Sequence, residues 1–205
     1  MSTEATTAFS AQAGAFDRID AANPLIAWVR DRVRIQALAT MRPGDTLLEL
    51  NAGTGIDSCF FAAQGMQVLA TDAAPGMIEQ LRLKQAAEPK LPLDVMHCSF
   101  LDLERLGDRR FHHVFSNFGG LNCTAHLDEV LRGIDRVLLP NGTCTLVIMP
   151  RFSPWELLAA LKGTSSWPGV AGGEAVRKPW WKDTTSPVTI TAPPMSAAIS
   201  DRGIV

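Results

Sequence analysis

The chain has 205 residues, enough for one well-buried domain and too few for two of ordinary size. A hydrophobic content of 46%, a charged content of 20% and a net charge of −2 describe an ordinary globular composition and argue against a dedicated nucleic-acid surface. Cys59, Cys98, Cys123 and Cys144 stand far apart with no Cys-x-x-Cys pair, which removes metal-ligand spacing and a disulfide framework. No metal is expected. Cys59, Cys98 and Cys144 sit in apolar text and read as small buried residues. The N-terminus lacks the basic flank and apolar core of a secretory signal, and no apolar run approaches the roughly 18 residues a membrane span needs. The expectation is a cytoplasmic, enzyme-like domain with no membrane partner.

Residues 1–15 are small and polar and read as loose. Asn23-Pro24 opens a helix, asparagine as cap and proline at the first position. Ile26, Val29, Val33 and Ala37 then recur at helical spacing to about residue 40. The basic run Arg30-Asp31-Arg32-Val33-Arg34 reads as this helix's solvated face. Arg42-Pro43-Gly44-Asp45 turns into a first strand over 46–50. A helix from Ile56 closes at Gly65. A second strand over 67–71 ends at Asp72, and the next helix carries Met77, Ile78 and Leu81. A third strand fits Leu93–Cys98 and a polar loop runs through Arg110. The fourth strand, Phe111–Phe115, ends at Ser116-Asn117-Phe118-Gly119-Gly120, and a helix follows from about Thr124 to Leu138. Leu139-Pro140-Asn141-Gly142 reads as a turn and Thr143–Met149 as a fifth strand. Ser153-Pro154-Trp155-Glu156 opens a further helix to about Lys162, with a capping-box glutamate. Strands alternating with helices in this way predict an α/β fold, a doubly wound, mostly parallel sheet flanked by helices. Its ligand crevice would lie at the carboxyl ends of the strands.

The division expected is an N-terminal segment over 1–23, a domain over 24–163 and an irregular tail over 164–205. Val188-Thr189-Ile190-Thr191 is the one β-like run in that tail, so the last strands of such a sheet are expected to be lacking. An uncompleted sheet edge would invite a second copy or another chain to pair with it.

The stretch Thr46–Asp57 carries the chemistry. An apolar strand runs through Glu49 into Asn51-Ala52-Gly53-Thr54-Gly55, and a helix follows. Glycines there let backbone approach a ligand, and the helix aims its free N–H groups into the same crevice. Asp72 ends the neighbouring strand, where a carboxylate accepts hydrogen bonds from a ribose diol. A nicotinamide-dinucleotide fingerprint would need a third glycine where Ser58 stands, and it leaves Glu49 unexplained. An NAD-type oxidoreductase is therefore the weaker reading.

Glu49-x-Asn51-x-Gly53-x-Gly55 resembles the acid-x-Gly-x-Gly-x-Gly signature of class I S-adenosylmethionine-dependent methyltransferases, whose domain is Rossmann-like. The resemblance runs from about Phe9 to Trp155. It takes in Asp72, the Asn117-Phe118-Gly119 segment and a Phe-x-Arg-x-x-x-Ala-x-x-Phe-Asp-like opening of the kind that often covers the cofactor pocket. Asn51 replaces a glycine, and asparagine best tolerates left-handed backbone otherwise. The resemblance implies S-adenosyl-L-methionine as cofactor. Glu49 would then sit near the methionine ammonium, Gly53 and Gly55 against the adenosyl group and methionine tail, Asp72 on the ribose and Ala73 beside the adenine. Ser99 and Phe100 would flank the adenine from the third strand, and Asn117 and Phe118 would line the methyl-donor side. Methyl transfer needs alignment above all, and a base only when the acceptor must lose a proton. His126 is the candidate base. Arg151 and Trp155 are candidate acceptor contacts, and the acceptor is expected to be a small molecule. The rival is a truncated or non-catalytic nucleoside-binding remnant.

Overall fold

A computed structural model describes residues 3–149 and 189–192 of the chain. Helices α1 (Thr3–Ala21) and α2 (Pro24–Leu38) precede β1 (Thr46–Glu49), α3 (Ile56–Ala63), β2 (Gln67–Asp72), α4 (Pro75–Ala87) and β3 (Leu93–His97). A 3-10 turn (Leu103–Leu106), β4 (Phe111–Ser116), a second 3-10 turn (Gly120–Cys123), α5 (Leu127–Val137), β5 (Leu138–Val147) and β6 (Thr189–Ala192) follow. The six strands form one sheet in the order β3-β2-β1-β4-β5-β6. The first five are parallel, and β6 runs antiparallel to β5. The doubly wound α/β expectation holds. Strand order reverses between β1 and β4, so the loops after these two strands part and leave a crevice at their carboxyl ends.

Strand alternation sorts β1 between two cores. Leu48 and Leu50 join Leu69, Val114, Leu146 and the inner side of α5 (Val130, Ile134, Val137). Leu47 faces the other way, with Phe61 and Ala62 of α3, Leu81 of α4, Ala37 of α2 and Phe115. Glu49 shares that second face by parity, which aims its carboxyl at α3. A third, smaller cluster packs α1 on α4 through Ala13, Ala74 and Met77, with Phe9 and Phe16 alongside.

Three expectations change. Residues 3–15 are helical, within α1: small residues at Ala13 and on α4 let the two helices meet, and Ser10 Oγ accepts from Gly76 N at 3.2 Å. Residues 139–142 belong to β5, which runs unbroken from Leu138 to Val147. Its register against β4 shifts between the pairs Phe111–Leu138 and His113–Thr143, where β5 carries three more residues than β4 and Asn141 stands at φ +64°, so the Asn-Gly signal marks an irregularity within a strand. The helix after β4 starts at Leu127, later than Thr124, because Thr124 Oγ1 accepts from His126 N and holds the entry extended. The Asn23 cap forms as expected, accepting from Leu25 N at 3.0 Å and Ile26 N at 3.2 Å. Ser153–Lys162 lies outside the described residues, as does most of the tail.

Candidate functional site

The strand-to-helix turn after β1 depends on three residues with left-handed backbone: Asn51 (φ +46°), Gly53 (φ +59°) and Gly55 (φ +83°). Their reasons differ. A side chain on Gly53 would meet nothing within 4 Å, so its bare Cα faces open space in the crevice. A Cβ on Gly55 would come within 2.7 Å of Leu81 Cδ1; this glycine lets α3 start tight against α4. Asn51 turns its amide away from both. Its Oδ1 accepts from Ser116 Oγ at 2.7 Å, and its Nδ2 donates to Asn117 O at 3.3 Å. A Cβ on Gly120 would fall 2.2 Å from Asn51 Nδ2. The asparagine therefore pins the turn to the segment after β4, and Gly120 leaves the room it needs.

Asp72, at the end of β2, lies beside this turn. One carboxylate oxygen accepts from Gly53 N at 2.9 Å and the other from Ala74 N at 2.7 Å. It thus caps the entry to α4 and braces the glycine turn with one group. Burial pushes its carboxyl above the ordinary aspartate range, against the pull of the Ala74, Gly53 and Ala73 N–H groups. Cys98 N donates to Asp72 O at 3.0 Å, which brings Ser99 to the same strand end. Ser99 is half-buried, with its hydroxyl accepting from Leu101 N; Phe100 is 3% exposed and packs into the α5-side core.

Glu49 is 3% exposed and accepts from the Ser58 hydroxyl. Ser58, where a dinucleotide fingerprint would have glycine, is therefore a partner for the acid. Burial raises the Glu49 pKa well above the glutamate value and the Asp57 charge adds to it; the Ser58 bond, Arg30 and Arg34 pull the other way.

Asp57, in the first turn of α3, gathers a buried network. It accepts from Arg30 Nη1 at 2.5 Å, Arg34 Nε at 2.7 Å and Asn117 Nδ2 at 3.1 Å. Arg30 Nη2 continues to Asp20 of α1 at 2.5 Å, and its Cζ stands 4.5 Å from the centre of the Phe118 ring. Arg34 Nη2 donates to Ile56 O at 3.0 Å. Asp17 of α1 accepts from the Thr54 hydroxyl of the glycine turn. The solvated-face reading of Arg30 and Arg34 is thereby corrected: Arg30 is 6% exposed, because Asp57 and Asp20 supply the counter-charge that burial demands. The signal was there. Arg30, Val33, Arg34 and Ala37 lie on the stripe that Ile26 begins, so the arginines share the inner face of α2. Asp57 gave no such warning; an acid in a first helical turn reads as a dipole partner.

On the β4 side, Asn117 is 6% exposed and Phe118, at φ +52°, is 37% exposed. Both follow β4 into the crevice. His126 stands at the N-cap position of α5 with no side-chain capping bond, its side chain 63% exposed and Nδ1 3.4 Å from Glu129 Oε1. None of its described contacts is with a residue of the turn. His112 bonds Thr46 at the amino end of the sheet, and His113 sits between the Thr143 and Thr145 hydroxyls, its pKa lowered to about 4 by burial. Both are structural, as expected. Cys98 and Cys144 are buried, but Cys59 is only half-buried, since α3 turns that residue toward its rim. Arg151 and Trp155 lie outside the described residues. Among the described residues no group of acids, histidines and cysteines is placed to hold a metal ion, and no helix is long and apolar enough to cross a membrane.

Residues 47–142 match the family model for a methyltransferase domain. Over 153 residues the chain is 37% identical to a malonyl-[acyl-carrier protein] O-methyltransferase of Serratia marcescens, covering 74% of this chain and 54% of the relative. The residues so matched form a methyltransferase domain of the class I S-adenosylmethionine-dependent kind. A demethylmenaquinone methyltransferase of Clavibacter sepedonicus is 33% identical over 140 residues, 65% of this chain and 53% of that one. Among solved structures, the CcbJ methyltransferase of Streptomyces caelestis superposes on this methyltransferase domain with a TM-score of 0.53 at 28% identity, over 58% of this chain and 49% of CcbJ. The chain spans about half the length of the curated relatives it matches.

Proposed function

We propose that this chain binds S-adenosyl-L-methionine at the β1–β2 strand ends and serves its transfer of a methyl group to a small-molecule acceptor. The observation that carries the reading is Asp72 braced by Gly53 N and Ala74 N beside the open face of Gly53. The carboxylate has more acceptor sites than the backbone N–H groups that bond it, which leaves capacity for a ribose hydroxyl. The bare Gly53 Cα is a place where a side chain would fill the cradle, so the residues fit an adenosyl group. Ala73 and Ser99 would border the adenine, with Phe100 as the apolar floor beneath. Glu49 would place negative charge near the methionine ammonium, and Asn117 and Phe118 would face the donor end. Gly55 would act through the turn that it lets form. The N-terminal segment 1–23 would cover this pocket, since Asp17 already bonds Thr54.

When bound, the sulfonium supplies an activated methyl group, and the protein's part is alignment and exclusion of water. The Asp57 network serves that part by fixing α2, the glycine turn and Asn117 to one another. His126 is the base to test, and Arg151 and Trp155 the acceptor contacts. The two relatives are named for unlike acceptors, demethylmenaquinone and a malonyl-acyl carrier protein. Acceptor choice is therefore expected from residues outside the shared core.

Calorimetric titration with S-adenosylhomocysteine and with NADH tests the reading. Binding of the homocysteine nucleoside with no NADH binding is expected; the reverse would overturn it. Nucleoside binding without turnover on an acceptor panel would instead favour the nucleoside-binding remnant. Loss of turnover in His126→Ala at unchanged nucleoside affinity would assign the base, and unchanged turnover would remove it.

A further inference from the structure

Helix α2 has two apolar sides, and the described residues cover only one. The inner side, with Ile26, Val29, Val33 and Ala37, faces the domain and carries Arg30 and Arg34 to Asp57. The outer side repeats the spacing three residues at a time and four: Leu25, Trp28, Arg32 and Ile35. Leu25 is 67% exposed, Trp28 58% and Ile35 57%. Arg32 lies across Trp28, its Cζ 5.7 Å from a ring centre, and leaves the rest of the stripe bare. A helix that is polar on neither broad side is one built to be covered on both.

The sheet says what is near enough to cover it. Strand β6 pairs antiparallel with β5, Val147 opposite Thr189. The chain that leaves β5 must therefore return to the same end of the sheet, the crevice end. That end adjoins the start of α2: Val147 O accepts from Gly119 N at 3.1 Å, Phe118 precedes Gly119, and Arg30 of α2 stacks on Phe118. The far end of α2 lies at the other end of β5, where Thr143 Oγ1 and Thr40 Oγ1 are 3.4 Å apart. The helix thus begins where residues 148–188 both depart and return. Those residues hold Trp155, Leu157, Leu158, Leu161, Trp167, Trp180 and Trp181, four of the five tryptophans; the fifth is Trp28 itself.

We propose that the outer stripe of α2, Leu25–Trp28–Ile35, is the docking surface for the chain's own segment 150–188. Its apolar side chains remove the stripe from water, and both ends of the segment are tethered beside it. A tethered partner docks at high effective concentration, which favours it over a separate chain. The inference stands on the stripe and the strand register, and it is independent of what the crevice binds.

A photo-crosslinking p-benzoylphenylalanine replaces Leu25 in the full chain and, separately, Ile35. Irradiation of the dilute protein followed by peptide mass spectrometry is expected to show crosslinks within one chain to peptides of 150–188. Crosslinks between two chains, or none to that segment, would overturn the proposal. As a second reading, Trp28→Glu with Ile35→Glu is expected to lower Tm by about 4 °C or more in a protein that light scattering shows to be monomeric. An unchanged Tm, as for open surface, would also sink it.

Discussion

The two banks of the crevice differ. On the β1–β2 bank, acids and donors are buried and paired: Asp72 with Gly53 and Ala74, Glu49 with Ser58, Asp57 with Arg30, Arg34 and Asn117. On the β4–β5 bank, the described residues leave apolar side chains in the open, Phe118 at 37% and Met149 at 40% exposed. A polar site has to be finished locally, because every buried charge left alone costs several kcal/mol. An apolar bank can wait for whatever covers it. The β1–β2 bank is thus completed within the described residues, and the β4–β5 bank leaves apolar surface open among them.

The difference can be broken at its strongest point first. Asp57→Ala leaves the buried Arg30 and the part-buried Arg34 beside Phe118 and Phe60 without their shared carboxylate. A loss of about 3–5 kcal/mol in urea unfolding is expected; a loss below 1 kcal/mol would show that the network does not hold α2 in place. Asp72→Ala comes next. It removes the acceptor for two backbone N–H groups and for the ribose, so nucleoside affinity should fall about 100-fold by calorimetry, as expected for two bonds to a charged group. Unchanged affinity would remove the ribose assignment.

Gly120→Ala drives a methyl group into the Asn51 amide and should cost about 1–3 kcal/mol. The double variant Asn51→Gly, Gly120→Ala should recover most of that loss, since glycine at 51 clears the space and suits φ +46°. Additive losses would place the strain elsewhere. The smallest effect is a change of slope. Glu49 has a raised pKa, so between the ordinary glutamate value and the raised one the folded chain holds a proton that the unfolded chain has released. Its contribution to stability is whole below that window and declines as pH rises through it. Glu49→Gln should flatten the decline in denaturation measured across pH while weakening nucleoside binding; an unaltered slope would show that Glu49 is not the group titrating.

Much of this was legible in the residues. The strand and helix order, the glycine turn, Asp72 and the left-handed Asn51 follow from local rules, in which a backbone angle or an apolar period permits few residue types. The misreadings share a cause. Charge at Arg30 and Arg34 argues for solvent, and only the meeting of α2 with the first turn of α3 shows that Asp57 awaits them. Asn141-Gly142 carried a turn signal that the pairing of β5 with β4 converted to an irregularity within a strand.

The sequence by itself determined the alternation of strands and helices, the position of the crevice turn and the acid at the next strand end, because each is written in residues close together along the chain. The tertiary structure decided which charges are buried, why Ser58 and Gly120 are what they are, and which side of α2 is left bare. Those depend on partners 9 to 69 positions away, and no local pattern records who the partner is.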